Sequence, residues 1–544
     1  MEFLAPTRRW HRLVHPVVLA SGGVFVLGLM IATAVPGPLL TLDDLANFGL
    51  ARTLAGQGAT PMPPQPPYGL LYPVMLAPGW LLNLEGESLV LWARIVNAAC
   101  GALLVPVLVS LLRRVSSLPL RTHLAAAVAA ALLPASTLTA SIVWPERLLA
   151  LLFALLALAL VTTGQRPTVL NSAMVMLAGV ACSAAHPRLG PVAVMAIIVA
   201  AVQLRRALPD RRWILSAGVL AGGTVLLVAI EWLRAAVARR SFASSGTYDL
   251  GDLAQRRGWD QLDVMVRQAL GVGASLVLAT AGLALVGIWV LFGRRTTRLV
   301  LLAVAILWAV AAWFITGVPR ADRWLHGRYI EVAAPVLVAV GLAHLGSWSQ
   351  RRQCVVLVGG PVLAGGLALA NSPTGLWGTP RSPVMMLGVE VLGAPFGAHI
   401  FEPLLATAVA VVVGVVLVWL VRRFGVAALA LGTAGFGLLG AASGIVTLDS
   451  LYERTPFAEI ETVLPADPMI EELWVDPSQV SANLTNALAW TVGFERTVLT
   501  PSPATSHALL PRGVPPASVR ELDRAPRTGS IVAEFAQGVL WRLN

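Results

Sequence analysis

Two adjacent carboxylates, Asp43 and Asp44, follow the first long apolar run of the chain, a few residues after Pro36-Gly-Pro38. An aspartate can act as a general base that takes the proton from a hydroxyl group. Charges at the end of a long apolar segment are costly, so a functional role is the first hypothesis for them. Both are therefore candidate catalytic residues. The alternative is a structural role at the start of a helix near Leu45, where aspartate is common.

Further charged or polar residues stand near the ends of later apolar runs. Guanidinium groups bind phosphate through paired hydrogen bonds, and a carboxylate beside them can bind or activate a hydroxyl. Together they have the chemistry needed to activate a hydroxyl next to a phosphate. These residues are Arg52, Glu146 in Val-Trp-Pro-Glu-Arg, His186 and Arg188 in Ala-His-Pro-Arg-Leu, and Arg328 and Tyr329 in Gly-Arg-Tyr.

Structural roles are open for several of these residues. Glu146 could form a local ion pair with Arg147 at the entrance to a helix. Arg328 could extend towards lipid headgroups, because long cationic side chains reach the membrane interface from buried positions. His186 could be a polar packing residue, and the spacing of His, Cys and Asp residues does not predict a zinc site.

The composition is that of a membrane protein. Of 544 residues, 57% are hydrophobic and 12% are charged, and the mean hydropathy is +0.76. These values exclude an ordinary soluble domain. The net charge of +11 comes from arginine alone, since the chain has no lysine, which suggests a GC-rich, actinobacterial source. The arginines cluster between apolar runs, so a nucleic-acid partner is not expected.

About thirteen runs are long enough to cross a membrane as helices. Every second connection between them is rich in arginine, which predicts a cytoplasmic N-terminus and an outer location for the loop with Asp43 and for the C-terminus. The predicted spans are residues 16–36, 88–112, 122–143, 147–163, 169–185, 189–204, 213–236, 271–292, 299–317, 329–346, 354–371, 403–421 and 424–446.

The chain divides into a membrane module, residues 1–446, and an outer C-terminal domain, residues 447–544. The domain boundary follows a drop in hydropathy after Thr447, and the turn residues beyond it predict a small mixed α/β domain. Prolines in residues 61–80 predict a loop followed by a short helix on the membrane surface. The predicted external loops are residues 37–87, 237–270 and 372–402.

The order of the motifs resembles that of glycosyltransferases with the GT-C fold. This superfamily includes the protein O-mannosyltransferases, the lipid A aminoarabinose transferase and the cell-wall arabinosyltransferases. The resemblance covers roughly residues 16–346, and its specificity comes from motif order combined with topology. The motifs are Asp43-Asp44, Pro67-Tyr-Gly-Leu-Leu-Tyr-Pro73, Trp144-Pro-Glu146, His186-Pro-Arg188 and Gly327-Arg-Tyr329.

This resemblance implies an all-α polytopic GT-C protein in the cell membrane. The implied partners are a polyprenyl-phosphate sugar donor, membrane lipid, and a glycan, lipid or protein acceptor; a monomer is expected, and a divalent cation is left open. The implied reaction is inverting transfer of the sugar to an acceptor hydroxyl outside the membrane. The implied roles are catalysis for Asp43 and Asp44, with Asp43 favoured as the base and the other aspartate orienting the hydroxyl or binding the acceptor. Donor-phosphate binding is implied for Arg328, Tyr329 and Arg188, and acceptor or metal binding for Glu146, His186 and Arg52.

Two further interpretations belong to other functional classes. A transporter or flippase of lipid-linked saccharides would also have many spans, but its ionisable residues are expected near the middle of the membrane. A non-catalytic scaffold for envelope assembly would use the C-terminal domain for docking. The unexplained charges concentrate at one face, which favours an enzyme. Asp-Asp replaces the Asp-Glu of the mannosyltransferases, so the donor sugar stays open.

Overall fold

The apolar runs form helices, since a segment in lipid must satisfy its own backbone hydrogen bonds. A computed structural model describes residues 7–34, 42–58, 68–207, 212–241, 261–315, 327–371, 403–452, 460, 470, 473–475, 497–498, 505–512, 514, 516, 529–535 and 538–543. These residues belong to two compact units. The first unit comprises residues 1–35, 94–231 and 249–447, and the second comprises residues 36–93, 232–248 and 448–544.

Most helices begin and end within a few residues of the predicted spans, and residues 169–185 match without a difference. In chain order they are α1 (Thr7–Thr33), α2 (Leu42–Leu54), α3 (Leu71–Leu81), α4 (Gly86–Val115), α5 (Leu120–Ala131), α6 (Pro134–Leu138), α7 (Glu146–Gln165), α8 (Val169–Ala185), α9 (Gly190–Ala207), α10 (Arg212–Ser241), α11 (Leu262–Ala279), α12 (Leu283–Phe292), α13 (Arg298–Ile315), α14 (Ala334–Leu345), α15 (Gln350–Cys354), α16 (Gly360–Asn371), α17 (Pro403–Phe424) and α18 (Val426–Tyr452).

The described residues contain nine helical segments that are long and apolar enough to cross a membrane, and five shorter apolar helices. The protein is a multi-pass membrane protein. A π-helical turn, Val355–Gly359, joins α15 to α16, so the predicted span 354–371 is helical throughout. The short helix expected after the prolines is α3. The predicted loop 372–402 lies outside the described residues.

The prediction of one continuous helix over residues 122–143 is wrong. Helix α5 ends at Ala131 and has 12 residues, a length of about 18 Å, whereas crossing the hydrocarbon takes about 30 Å. The short α6 follows, and then irregular backbone leads to α7. Pro134 cannot continue an α-helical hydrogen-bond ladder. The Thr137 and Thr139 hydroxyls bond to the carbonyls of Leu133 and Ala135, which competes with a regular helix.

The predicted span 271–292 is two helices, α11 and α12. The chain turns between them at Ala281 and Gly282, both of which have positive φ. Helix α10 extends to Ser241 and α11 already begins at Leu262, so both ends of the predicted external segment 237–270 are helical. Asp263 lies in the first turn of α11, where its negative charge is favourable at the positive end of the helix. Hydropathy alone does not detect this indication of a helix start.

Small residues bring the membrane helices of the first unit close together. A core of alanines, with Val277 and Leu278, forms where α11 packs on α16 and α16 on α17. Close backbone approach through small residues is the usual basis of helix association in membranes.

The second unit contains α2, which packs on α3, and a five-stranded sheet. The sheet order is β2-β1-β3-β5-β4, with parallel pairing among the first three strands and antiparallel pairing among the last three. Trp474, Ala508 and Leu510 form its buried core. The sheet agrees with the small C-terminal domain that the sequence predicts. Its strands are β1 (Leu473–Val475), β2 (Thr497–Val498), β3 (His507–Leu510), β4 (Gly529–Phe535) and β5 (Gly538–Leu543).

Candidate active site

The first unit brings three of the predicted site residues into direct contact. Glu146 begins α7, Arg188 lies in the short helical turn between α8 and α9, and Arg328 lies in the turn before α14. The Nε atom of Arg328 donates to Glu146 Oε1 at 2.8 Å, and Arg188 Nη2 donates to the same oxygen at 3.4 Å. All three side chains are buried, so the ion pairs are shielded from water. We call these residues the guanidinium cluster.

Aromatic rings hold both guanidinium groups of the cluster. The Arg328 guanidinium lies 3.5 Å from the centroid of the Trp144 ring, and that of Arg188 lies 4.4 Å from the centroid of Tyr329. Cation–π contacts of this kind contribute about 0.5–2 kcal/mol each. A cation–π contact uses the face of a guanidinium, whereas its N–H donors lie at the edge of the group. The arrangement suits the binding of an anionic oxygen group.

His186 supports the turn that carries Arg188. Its Nδ1 atom accepts a hydrogen bond from the backbone N–H of Arg188 at 3.1 Å. The ring thereby caps the short helical turn Pro187–Leu189. The predicted acceptor or metal role of His186 stays a prediction, while its position beside the guanidinium cluster is established.

Two side chains near the guanidinium cluster, Glu331 and Ser275, were not predicted as site residues from the sequence. Glu331 lies three residues after Arg328 and is 9% exposed. A Cβ atom added at Gly327 would contact the Glu331 carboxylate and lie 2.6 Å from the Ser275 hydroxyl oxygen. A larger residue at Gly327 would therefore displace the Glu331 carboxylate and the Ser275 hydroxyl. The sequence signal for Glu331 was an acidic residue at the start of a predicted span.

A pocket lies next to the guanidinium cluster within the first unit. Its polar lining residues are Ser136, Thr139, Glu146, Arg147, Arg328 and Glu331. Ala135 and Ser136 in the short helix α6, with Thr139 after it, form one wall. A break of this kind in a membrane span occurs only where protein or a cavity surrounds it. The Asn97 side-chain amide donates to Ile142 O at 2.7 Å and so ties α4 to the irregular backbone between α6 and α7.

The site residues do not favour a divalent cation at Glu146. Two guanidinium groups already donate to Glu146 Oε1, and a metal ion at that oxygen would meet their positive charge. Among the described residues, no group of three or more His, Cys, Asp or Glu side chains could hold a metal ion.

The second unit contains the aspartate pair. Helix α2 begins at Leu42, three residues before the start near Leu45 that the sequence suggested. Both Asp43 and Asp44 therefore lie in its first turn. The Tyr68 hydroxyl donates to Asp43 Oδ1 at 2.6 Å. Asp43 is partly exposed, whereas Asp44 is only 1% exposed. Of the two, Asp43 is the more accessible to a substrate hydroxyl.

Arg52 lies in the last turn of the same helix. Its guanidinium is 5.8 Å from the centroid of the Trp80 ring, and the side chain is buried. The Gln57 amide donates to Trp80 O at 2.7 Å, which ties the end of α2 to α3. Arg52 and the aspartates thus share a helix, while Glu146, His186, Arg188, Arg328 and Tyr329 share the other unit. That the two groups form one site stays a prediction.

The order of the helices and the C-terminal sheet are those of the GT-C fold of polytopic membrane proteins. Among solved structures it is similar to ArnT from Cupriavidus metallidurans bound to undecaprenyl phosphate, with a TM-score of 0.56 and 15% identity over 96% of this chain and 97% of that chain. The apo state of the same protein matches with a TM-score of 0.51 and 16% identity over 97% and 98% of the two chains.

A further solved structure, the arabinosyltransferase EmbB from Mycobacterium smegmatis, matches with a lower TM-score of 0.45 and 16% identity. That match covers 91% of this chain and 44% of EmbB. A scan of protein-family models and a search of curated proteins found no match.

Proposed function

We propose that the protein is a membrane glycosyltransferase that moves a sugar from a polyprenyl-phosphate-linked donor to an acceptor hydroxyl. The reaction takes place on the outer side of the membrane, as the arginine distribution along the sequence suggests. The acceptor is a glycan, a lipid or a protein, and the enzyme acts as a monomer. The donor is either a hexosyl or a pentosyl derivative.

The guanidinium cluster is the observation that carries this proposal. One carboxylate oxygen of Glu146 fixes two buried guanidiniums in a protein built of membrane helices. Arginine edges bind phosphate through two parallel hydrogen bonds, so Arg188 and Arg328 suit a lipid-linked phosphate. The likeness of the fold to ArnT, whose structure was solved with undecaprenyl phosphate, supports a polyprenyl-phosphate ligand.

The mechanism is a single displacement at the anomeric carbon. Asp43 takes the proton of the acceptor hydroxyl while the acceptor oxygen forms a bond to that carbon. The bond from the anomeric carbon to the phosphate oxygen breaks, and its electron pair stays on the leaving polyprenyl phosphate. Arg188 and Arg328 stabilise the charge that develops on this phosphate. Attack opposite the leaving group inverts the anomeric centre.

Purified protein provides the test. Mass spectrometry of co-purified lipid should detect a prenyl-phosphate sugar, and the same lipid added back should label an acceptor hydroxyl with its sugar. Release of free polyprenyl phosphate in equal amount would establish the balance of the reaction. Absence of any bound prenyl phosphate, together with absence of transfer from prenyl-phosphate sugars, would contradict the proposal.

Replacement of one arginine of the guanidinium cluster tests its role in donor binding, and an exposed arginine on another helix gives a matched control. Arg328→Gln removes one guanidinium from the cluster, and donor affinity should fall by roughly 10- to 100-fold, because charged hydrogen bonds to phosphate are strong. Arg205 is exposed in the last turn of α9, and Arg205→Gln changes the net charge equally. It should leave donor affinity within about twofold of wild type, since surface charges contribute little.

The same assays separate the enzyme from the other functional classes. A flippase would carry a lipid-linked saccharide across a vesicle membrane without releasing polyprenyl phosphate. A scaffold would do neither and would lose only partner binding when the C-terminal domain is altered. Transfer that depends on Asp43 or Asp44, with normal expression of the variants, identifies the enzyme.

A further inference from the structure

Arg147 is a buried charge that the proposed reaction does not use. Its side chain is 2% exposed and lines the pocket beside the guanidinium cluster. Nη1 donates to the carbonyl of Ala131, the last residue of α5, at 3.0 Å. Within the described part of the chain, Nε and Nη2 have no hydrogen-bond partner. Buried guanidinium donors are normally satisfied, so these two N–H positions call for a ligand or water.

Glu146 presents an acceptor to the same pocket. Its Oε1 atom accepts from both arginines of the cluster, whereas Oε2 is buried and has no partner among the described residues. Ser136 and Thr139 add hydroxyl groups to the lining. The pocket therefore combines unsatisfied donors on Arg147 with an unsatisfied acceptor on Glu146.

This combination distinguishes between possible ligand groups. A phosphate diester has acceptor oxygens only, so it can bind Arg147 but cannot donate to Glu146 Oε2. A hydroxyl group donates one hydrogen bond and accepts others, and thus matches both residues. The size of the pocket agrees with the binding of one hydroxyl group. The empty volume is about 280 Å³ when the part open to solvent is included. Within it, the space that is wide enough for a water molecule holds about one of them.

We infer that the pocket binds a hydroxyl group of the donor sugar, with Glu146 Oε2 as acceptor and the free N–H groups of Arg147 as donors. This inference rests on the proposed function and adds the recognition of a neutral, hydroxyl-bearing sugar to it. Water occupies the position when no donor is bound, and the sugar hydroxyl replaces it. Arg147 is then a sugar-binding residue, separate from the arginines that bind phosphate.

Gly101 offers a way to move the Arg147 guanidinium without replacing Arg147. A Cβ atom at position 101 would lie 2.8 Å from Arg147 Nη1 and 3.0 Å from its Cζ atom. Gly101→Ala therefore displaces the guanidinium from α4, while alanine itself suits a helix interior. Gly366 in α16 is the matched control, because a Cβ atom there would have no neighbour within 4 Å.

The experiment compares the affinity of the full-length protein for farnesyl phosphate with its affinity for farnesyl-phosphoryl mannose and farnesyl-phosphoryl arabinofuranose. Wild type should bind one of the sugar phosphates about tenfold or more tightly than farnesyl phosphate. Arg147→Lys keeps a donor for Ala131 O but has no donor at the positions of Nε and Nη2, because its N–H groups all lie on one nitrogen, and it should abolish this sugar advantage. Gly101→Ala should do the same, and Gly366→Ala should retain the advantage.

Farnesyl phosphate alone separates the remaining outcomes. Its affinity should stay within about twofold of wild type in Arg147→Lys and Gly101→Ala. A parallel loss of farnesyl phosphate binding would assign Arg147 to the phosphate and overturn the inference. An unchanged sugar advantage in both variants, or none in wild type, would also overturn it while leaving the proposed function intact. Failure of wild type to bind any of the three compounds would count against the proposed function itself.

Discussion

Glu146 and Asp43 are carboxylates in two different environments, one in each unit of the protein. Glu146 is buried and accepts hydrogen bonds from two guanidiniums at one oxygen. Asp43 is partly exposed and accepts from the neutral hydroxyl of Tyr68. A carboxylate that fixes two cations organises a site for an anion, whereas a carboxylate that is accessible and bonded to a hydroxyl suits proton transfer. The two acids are therefore expected to respond differently to neutralisation.

The largest effect should come from Asp43→Asn. The amide keeps the shape and can still bond Tyr68, but it cannot take a proton from the acceptor. General-base catalysis is worth about 10²–10⁴-fold, so kcat should fall by that factor while donor affinity is retained. Transfer kinetics with purified protein would measure the change.

Asp44→Asn is the control for this prediction, because the neighbouring carboxylate is buried in the same helical turn. A smaller loss of kcat in this variant would agree with Asp43 as the base. If Asp44→Asn lost activity and Asp43→Asn kept it, the assignments of the two aspartates would have to be exchanged.

Glu146→Gln should act on the donor instead. Neutralising this acid leaves Arg188 and Arg328 buried without their shared charge partner, which typically costs about 3–5 kcal/mol. We expect weaker donor binding, by about 10- to 100-fold, and a lower Tm in detergent. A pure loss of kcat with normal donor affinity and normal Tm would show that Glu146 takes part in proton transfer, and the contrast with Asp43 would disappear.

The sequence identified the members of the guanidinium cluster but not their pairing. Glu146, Arg188 and Arg328 could be found because charges at the ends of apolar spans need partners. Adjacent Arg147 looked like a partner for Glu146, yet residues that follow each other on a helix are poorly placed for a direct ion pair. The structure gives Glu146 partners 42 and 182 residues away and directs Arg147 to Ala131.

Hydropathy also located most helices but not the break after α5. The mean hydropathy of residues 122–143 is high enough for a membrane span. This mean does not detect the effect of one proline, or of hydroxyl groups that bond to backbone carbonyls. This break forms the wall of the pocket that Arg147 lines. The part of the site that hydropathy missed is thus the part where local hydrogen bonding overrides the helical pattern.

Tyr68→Phe sharpens the comparison on the side of the aspartates. It removes the phenol hydroxyl that donates to Asp43 at 2.6 Å and leaves the ring. The hydroxyl orients the Asp43 carboxylate, and a less well positioned base takes the proton more slowly, so kcat should fall by about tenfold. Pre-steady-state transfer would measure it, and a change in donor affinity of the same size would place Tyr68 with the donor site.

The smallest effect is expected at Tyr329, on the side of the guanidinium cluster. Tyr329→Leu removes the ring beside the Arg188 guanidinium and should weaken donor binding by about two- to fivefold. This is the lower part of the range for cation–π contacts, because Arg188 is buried but the Tyr329 ring is partly exposed. Tyr329→Phe keeps a ring face for Arg188 and should stay closer to wild type than the leucine variant. Titration with farnesyl phosphate would compare them. Equal losses in both variants would mean that the Tyr329 hydroxyl, and not its ring, supports the phosphate site. Tyr329 would then act through its hydroxyl, as Tyr68 does at Asp43, and this difference between the two units would disappear.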